Sequence, residues 1–96
     1  MDVVVAIDAE GLSDEAAFIA HLHKEGLEHV EEEEGLVFAG TSQTPVMQTR
    51  AYIFEVMTKA LEKSPATFCH MVCMLGENPM EGYRFDAQTR LFVEAK

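Results

Sequence analysis

Between Gly35 and Lys63 the chain runs through a short apolar stretch, a polar turn and a long amphipathic segment. No other stretch constrains the fold as strongly. Leu36-Val37-Phe38-Ala39 is bounded by Gly35 and Gly40, as a buried strand would be. Thr41-Ser42-Gln43-Thr44 then leads into Pro45. Thr44 is expected to cap a helix through its side-chain oxygen, with Pro45 at the first helical position, where a missing N–H costs nothing. Met47, Ala51, Phe54 and Leu61, joined by Ile53, Met57 and Ala60, recur at helical spacing and predict the buried face. Gln48, Thr49, Glu55, Lys59 and Glu62 fall largely off it. Ser64-Pro65 ends the helix. One strand and one amphipathic helix require a sheet for the helix to pack on.

The rest of the chain supplies that sheet. Asp2-Val3-Val4-Val5-Ala6-Ile7-Asp8 is nearly continuous in Val and Ile, which suits a central strand. Ser13 is expected to cap the next helix, with Asp14 and Glu15 in its first turn, where negative charge favours the helix dipole. Ala16, Ile19, Ala20 and His23 would line one side, with Phe18 and Leu22 beside them, and Gly26 would stop it. Leu27 to Glu34 alternates weakly and fits a solvated edge strand protected by its charges. Ala66 to Leu75 reads as a strand, Gly76-Glu77-Asn78-Pro79 as a turn, and Tyr83 to Val93 as a terminal hairpin or a strand with a kinked entry.

The order β-α-β-β-α-β followed by more β predicts a single α+β domain over residues 1–96. Its arrangement would be ferredoxin-like, two helices on one face of an antiparallel sheet, with residues 82–96 as a C-terminal β extension. The face opposite the helices then needs a cover. Tyr83, Phe85, Leu91, Phe92 and Val93 are too apolar for a free tail, so the terminal segment is expected to cover that face within the chain or on a second copy. A homodimer follows. A chain of 96 residues buries only about 60–65% of the surface its unfolded form exposes, and association would thicken the core.

Charge narrows the partners. Seven Lys+Arg stand against seventeen Asp+Glu, a formal net charge of −10. That argues against a nucleic-acid partner held through phosphates, which needs a basic face. The run Glu31, Glu32, Glu33 and Glu34 reads as a solvated hairpin end, or else as a cation site or a docking patch for a basic protein. No apolar run approaches the roughly 18–20 residues of a membrane span, and the N-terminus lacks the basic start and cleavage site of a secretory signal. The expectation is a cytoplasmic protein with reduced thiols.

Sites of chemistry are sparse. Cys69, Met71 and Cys73 would share one face of a strand, but cysteines four apart on a strand lie about 13 Å apart, too far to clamp one ion. A soft-metal carrier built on Cys69, Cys73 and the methionines is therefore the weakest reading, and core packing the stronger one. His21 and His23 point about 200° apart around a helix. Nucleophile elbows and phosphate loops do not occur, so no cofactor is implied. Asp8 is the sharper candidate, because it closes the first strand where an aspartate can meet its symmetry mate and hold a divalent cation.

In element order, in Asp8 and in the extra C-terminal strand, the chain resembles the small ferredoxin-like ribonucleases, the CRISPR-associated ones and virulence-associated protein D among them. That resemblance implies a metal-dependent ribonuclease with Asp8 as catalytic residue. Non-enzymatic relatives of the same shape, antitoxin-type proteins included, imply an interaction module. The shortage of basic residues favours a homodimeric interaction or regulatory module without catalytic activity, with the ribonuclease as the alternative.

Overall fold

The computed structural model describes residues 1–31 and 35–95. Among these residues the elements are β1 (Asp2–Glu10), α1 (Glu15–Lys24), β2 (Glu28–His29), β3 (Leu36–Thr41), α2 (Val46–Lys63), β4 (Phe68–Leu75), β5 (Glu81–Asp86) and β6 (Leu91–Glu94). The strands form one antiparallel sheet in the order β2-β3-β1-β4-β5-β6. The fold is thus mixed α+β, and no helix among the described residues is long and apolar enough to cross a membrane.

Strand alternation decides which side the helices cover. Val3, Val5 and Ile7 of β1, Leu36 and Phe38 of β3, and Cys69, Met71, Cys73 and Leu75 of β4 are buried together with Phe18, Leu22, Ile53, Met57, Ala60 and Leu61 of the helices. Period-2 burial on the strands and helical spacing on α2 (Thr49, Ile53, Val56, Met57, Ala60, Leu61) meet in one core. Phe18 and Phe38 cross edge to face in it, with centroids 6.3 Å apart.

Both helix starts differ from the sequence expectation. Asp14, not Ser13, caps α1, its Oδ1 accepting from the Ala17 N–H at 3.0 Å. Ser13 instead donates its N–H to the Pro65 carbonyl. Pro45 stands at the cap of α2 rather than inside it, since its ψ of 157° is extended. The Thr44 hydroxyl caps nothing and joins those of Ser42 and Thr49. Gly26 does stop α1: at φ 97° it lets its own N–H reach the His23 carbonyl and the Leu27 N–H reach Leu22. Leu22 and Leu27 are both buried, which completes a Schellman end.

Both helices are rolled relative to the sequence reading. In α1 it is Phe18, His21 and Leu22 that are buried, while Ala16, Ala20 and His23 face water. Two bulky side chains remove more apolar area from water than an alanine stripe, so they take the core side. In α2 the buried stripe begins at Thr49, and Met47 is 74% exposed. Thr49 tolerates burial because its hydroxyl is bonded to Ser42 at 2.7 Å and to Thr44 at 2.9 Å.

Ser64, fully buried, ties the ends of the two helices together. Its hydroxyl accepts from the Asp14 N–H and donates to the Asp14 carbonyl, each at 2.8 Å. Contrary to the sequence expectation, the terminal hairpin does not fold over the open face of its own chain. It lengthens the sheet beyond β4. Tyr83 and Phe92 pack against Phe54 of α2 on the helix side, with centroids at 4.8 and 5.9 Å, which satisfies their apolar surface there.

Candidate functional site

With Val3, Val5 and Ile7 turned toward the helices, Val4, Ala6 and Asp8 of β1 face away from them. Register carries this outward set across the sheet. One row holds Val30, Val37, Ala6, Val72, Gly82 and Ala95, the outer members bonded through the Val30 and Ala95 N–H groups. A neighbouring row holds Ala39, Val4 and Met74. Phe68 (40%), Met74 (45%) and Leu91 (62%) are large apolar side chains exposed on this side. The helices leave this face uncovered.

Asp8 lies in a polar row crossing that apolar face. It is directly opposite His70 of β4, which is opposite Arg84 of β5. Directly opposite residues on antiparallel strands present their side chains on the same face. Acid, imidazole and guanidinium therefore stand in line across three adjacent strands. A shallow depression of about 180 Å³ borders Asp8, His70, Ala6, Val37 and Val72. Sequence reading found Asp8 and missed its neighbours. His70 and Arg84 lie 62 and 76 residues further along the chain, and only the β1–β4–β5 register brings them alongside.

The remaining candidates separate. Cys69 and Cys73 both point into the core with Met71 between them. Burial pushes both thiols up to about 11, helped by the Asp8 carboxylate for Cys69 and by Glu81 for Cys73. Thiolates are therefore scarce at neutral pH. Both cysteines are expected to resist an aromatic disulfide reagent in the native protein and to react together only when denaturant unfolds it. Rapid modification of either in native buffer would contradict this packing. Among the described residues no three His, Cys, Asp or Glu side chains are grouped to hold a metal. Glu31 is exposed next to β2. Glu32, Glu33 and Glu34 of the expected docking patch lie outside the described residues.

Compared with known proteins, the chain matches no family model, no curated protein and no solved structure.

Proposed function

We propose that the chain is a cytoplasmic, ferredoxin-like interaction module that works as a homodimer through the uncovered face of its sheet. The strand order supports the ferredoxin-like part: β2-β3-β1-β4 with helices after β1 and β3, extended by the hairpin β5–β6. The observation that carries the dimer is the apolar row from Val30 to Ala95 across the face opposite the helices. Six strands spaced about 4.8 Å apart, with central strands of about 26 Å, offer a face on the order of 600 Å². That approaches the roughly 800 Å² each partner of a standard interface contributes.

The polar row supplies self-complementarity. A two-fold axis parallel to β4, between two sheets packed face to face, stacks β1 of one copy over β5 of the other. Asp8 then meets Arg84 of the partner subunit twice, and Ala6 meets Gly82 of the partner subunit, small against small. Light scattering is expected to give a dimer at micromolar concentration. Val72→Glu, which places a charge at the centre of the contact, should return it to monomer. Asp8→Arg and Arg84→Asp should each weaken the dimer about tenfold or more, and the double exchange should recover most of the loss, as coupled charges do. A wild type that stays monomeric at high micromolar concentration would remove this reading.

The ribonuclease remains the second reading because His70 and Arg84 stand beside Asp8, a proton-transfer group and a phosphate-binding cation next to a metal-ligating carboxylate. It needs a different two-fold, since the axis along β4 leaves the two Asp8 side chains about 10 Å apart across the strands. A net charge of −10 also repels a polyanion. Labelled single-stranded RNA incubated with the protein and Mn²⁺ is expected to stay intact. Cleavage that disappears with chelator and in Asp8→Asn would make the ribonuclease the better reading.

A further inference from the structure

On the helix side of the sheet, away from the face assigned to the dimer, a cavity of about 490 Å³ opens between the end of α1, the end of β3 and the start of α2. Its floor is apolar, made by Val3, Leu27 and Ile53, all buried. Its size falls within the roughly 300–1,000 Å³ range of small-molecule sites, which are largely apolar with a few placed polar groups. The walls are fixed. Gly40 lets β3 pass under the Gly26 carbonyl, where a Cβ would come within 2.8 Å. The Schellman end of α1 holds the loop above it.

Hydroxyls form one rim. Ser42, Thr44 and Thr49 close a ring with O···O distances of 2.9, 2.7 and 2.9 Å. The Thr49 proton is shared with the Thr44 carbonyl at 3.3 Å, and Ser42 Oγ also accepts from the Thr44 N–H at 3.2 Å, so the lone pairs left to accept are those of Thr44 and Thr49. Glu25 and Tyr52 form the opposite rim. The Tyr52 hydroxyl donates to Glu25 Oε2 at 2.7 Å and to the Glu25 carbonyl at 3.2 Å. That bond holds the Glu25 carboxyl below its usual range, with His21, Lys24 and Lys59 adding weakly, so it is charged at neutral pH. Among the described residues no Lys, Arg or His lines the cavity, and the C-terminal end of α1 adds the negative pole of its dipole.

We propose that this cavity binds a small organic cation, an apolar body carrying an ammonium group that Glu25 receives while the hydroxyl rim accepts its remaining hydrogen bonds. The donors that the rim hydrogen bonds fix are spent on other rim groups, and Glu25, the charged residue of the described lining, is negative. An anion of the same shape would meet the Glu25 carboxylate on entry. The site does not depend on the dimer.

Three indoles of similar shape test the charge directly: tryptamine, tryptophol and indole-3-acetate, each titrated into the full chain and followed by amide NMR. Tryptamine should shift the Gly26, Leu27, Thr44 and Thr49 amides saturably. Tryptophol should bind about tenfold more weakly, the difference a charged hydrogen bond makes, and indole-3-acetate should give no saturable shift. Glu25→Gln keeps an acceptor for Tyr52 and should reduce tryptamine to the affinity of tryptophol. Gln48→Trp, placed on the exposed first turn of α2 at the cavity mouth, should abolish both without moving the melting temperature. Equal binding of the acetate, unchanged tryptamine affinity in Glu25→Gln, or tryptamine shifts that never saturate at these amides would overturn the assignment.

Discussion

Replacing Phe38 by alanine is expected to lower the melting temperature by roughly 15–30 °C. Phe38 is fully buried on the central part of β3, crossed edge to face by Phe18 and tilted against His29 at 5.3 Å. Truncating a buried phenylalanine costs about 3–5 kcal/mol, because the lost transfer energy is compounded by the cavity left behind. A domain of this size loses about 4–8 °C per kcal/mol, and its total stability is on the order of 5–15 kcal/mol. The contrasting variant is Met47→Ala. Placed on the core face by its spacing but 74% exposed in the fold, it should move stability by no more than about 0.5 kcal/mol. Thermal unfolding of both, followed by circular dichroism, checks the rolled orientation of α2 as well as the core. A Met47→Ala variant as damaged as Phe38→Ala would contradict it.

The second large effect is expected at Glu81. Its carboxylate receives the Arg50 guanidinium through two bonds, Nε to Oε1 at 2.6 Å and Nη2 to Oε2 at 2.8 Å, and the Tyr83 hydroxyl donates to the same Oε1. This joins α2 to β5, so it anchors the hairpin beside the Phe54, Tyr83 and Phe92 cluster. The Arg50 bonds, with Tyr83 assisting against some desolvation, hold the Glu81 carboxyl below its usual value of 4.5. Burial and the bond to Glu81 push the Tyr83 phenol up to about 12.

Glu81→Leu leaves both donors without their acceptor and should cost about 2 kcal/mol near neutral pH. Some water access to the pair keeps the effect below that of a fully buried ion pair. The sign with pH is definite. A carboxyl whose folded pKa is depressed contributes fully above its unfolded pKa of about 4.5 and loses that contribution as pH falls through the lower folded value. The gap between wild type and Glu81→Leu, measured by urea unfolding, should therefore be constant above about pH 5.5 and narrow steadily below pH 4.5. A gap that widens on acidification would exclude the Arg50–Glu81 pair as its source.

Sequence alone determined the element order, because each element has a local signature. A nearly continuous Val and Ile run marks β1, an apolar run too short for a helix after Pro65 marks β4, glycines bracket β3, and Gly26 ends α1. Cys69 and Cys73 were legible as core residues for the same reason, since alternation along one strand is set by the strand itself. Asp8 was legible only as a charged residue closing the first strand, and β1 in fact runs two residues further, to Glu10.

Tertiary structure decided the rest. The helix rolls depend on how much area each candidate face removes from water against a sheet whose shape one segment cannot know. The hydroxyl ring that lets Thr49 be buried joins residues two to seven apart, but it needs the turn folded back onto the first turns of α2, which helical period does not show. The hairpin's place beside β4 depends on Phe54 being there to receive Tyr83 and Phe92. The line of Asp8, His70 and Arg84 needs two strand registers at once. Registers are long-range pairings settled by the whole core. A one-residue slip would turn every one of those side chains to the other face.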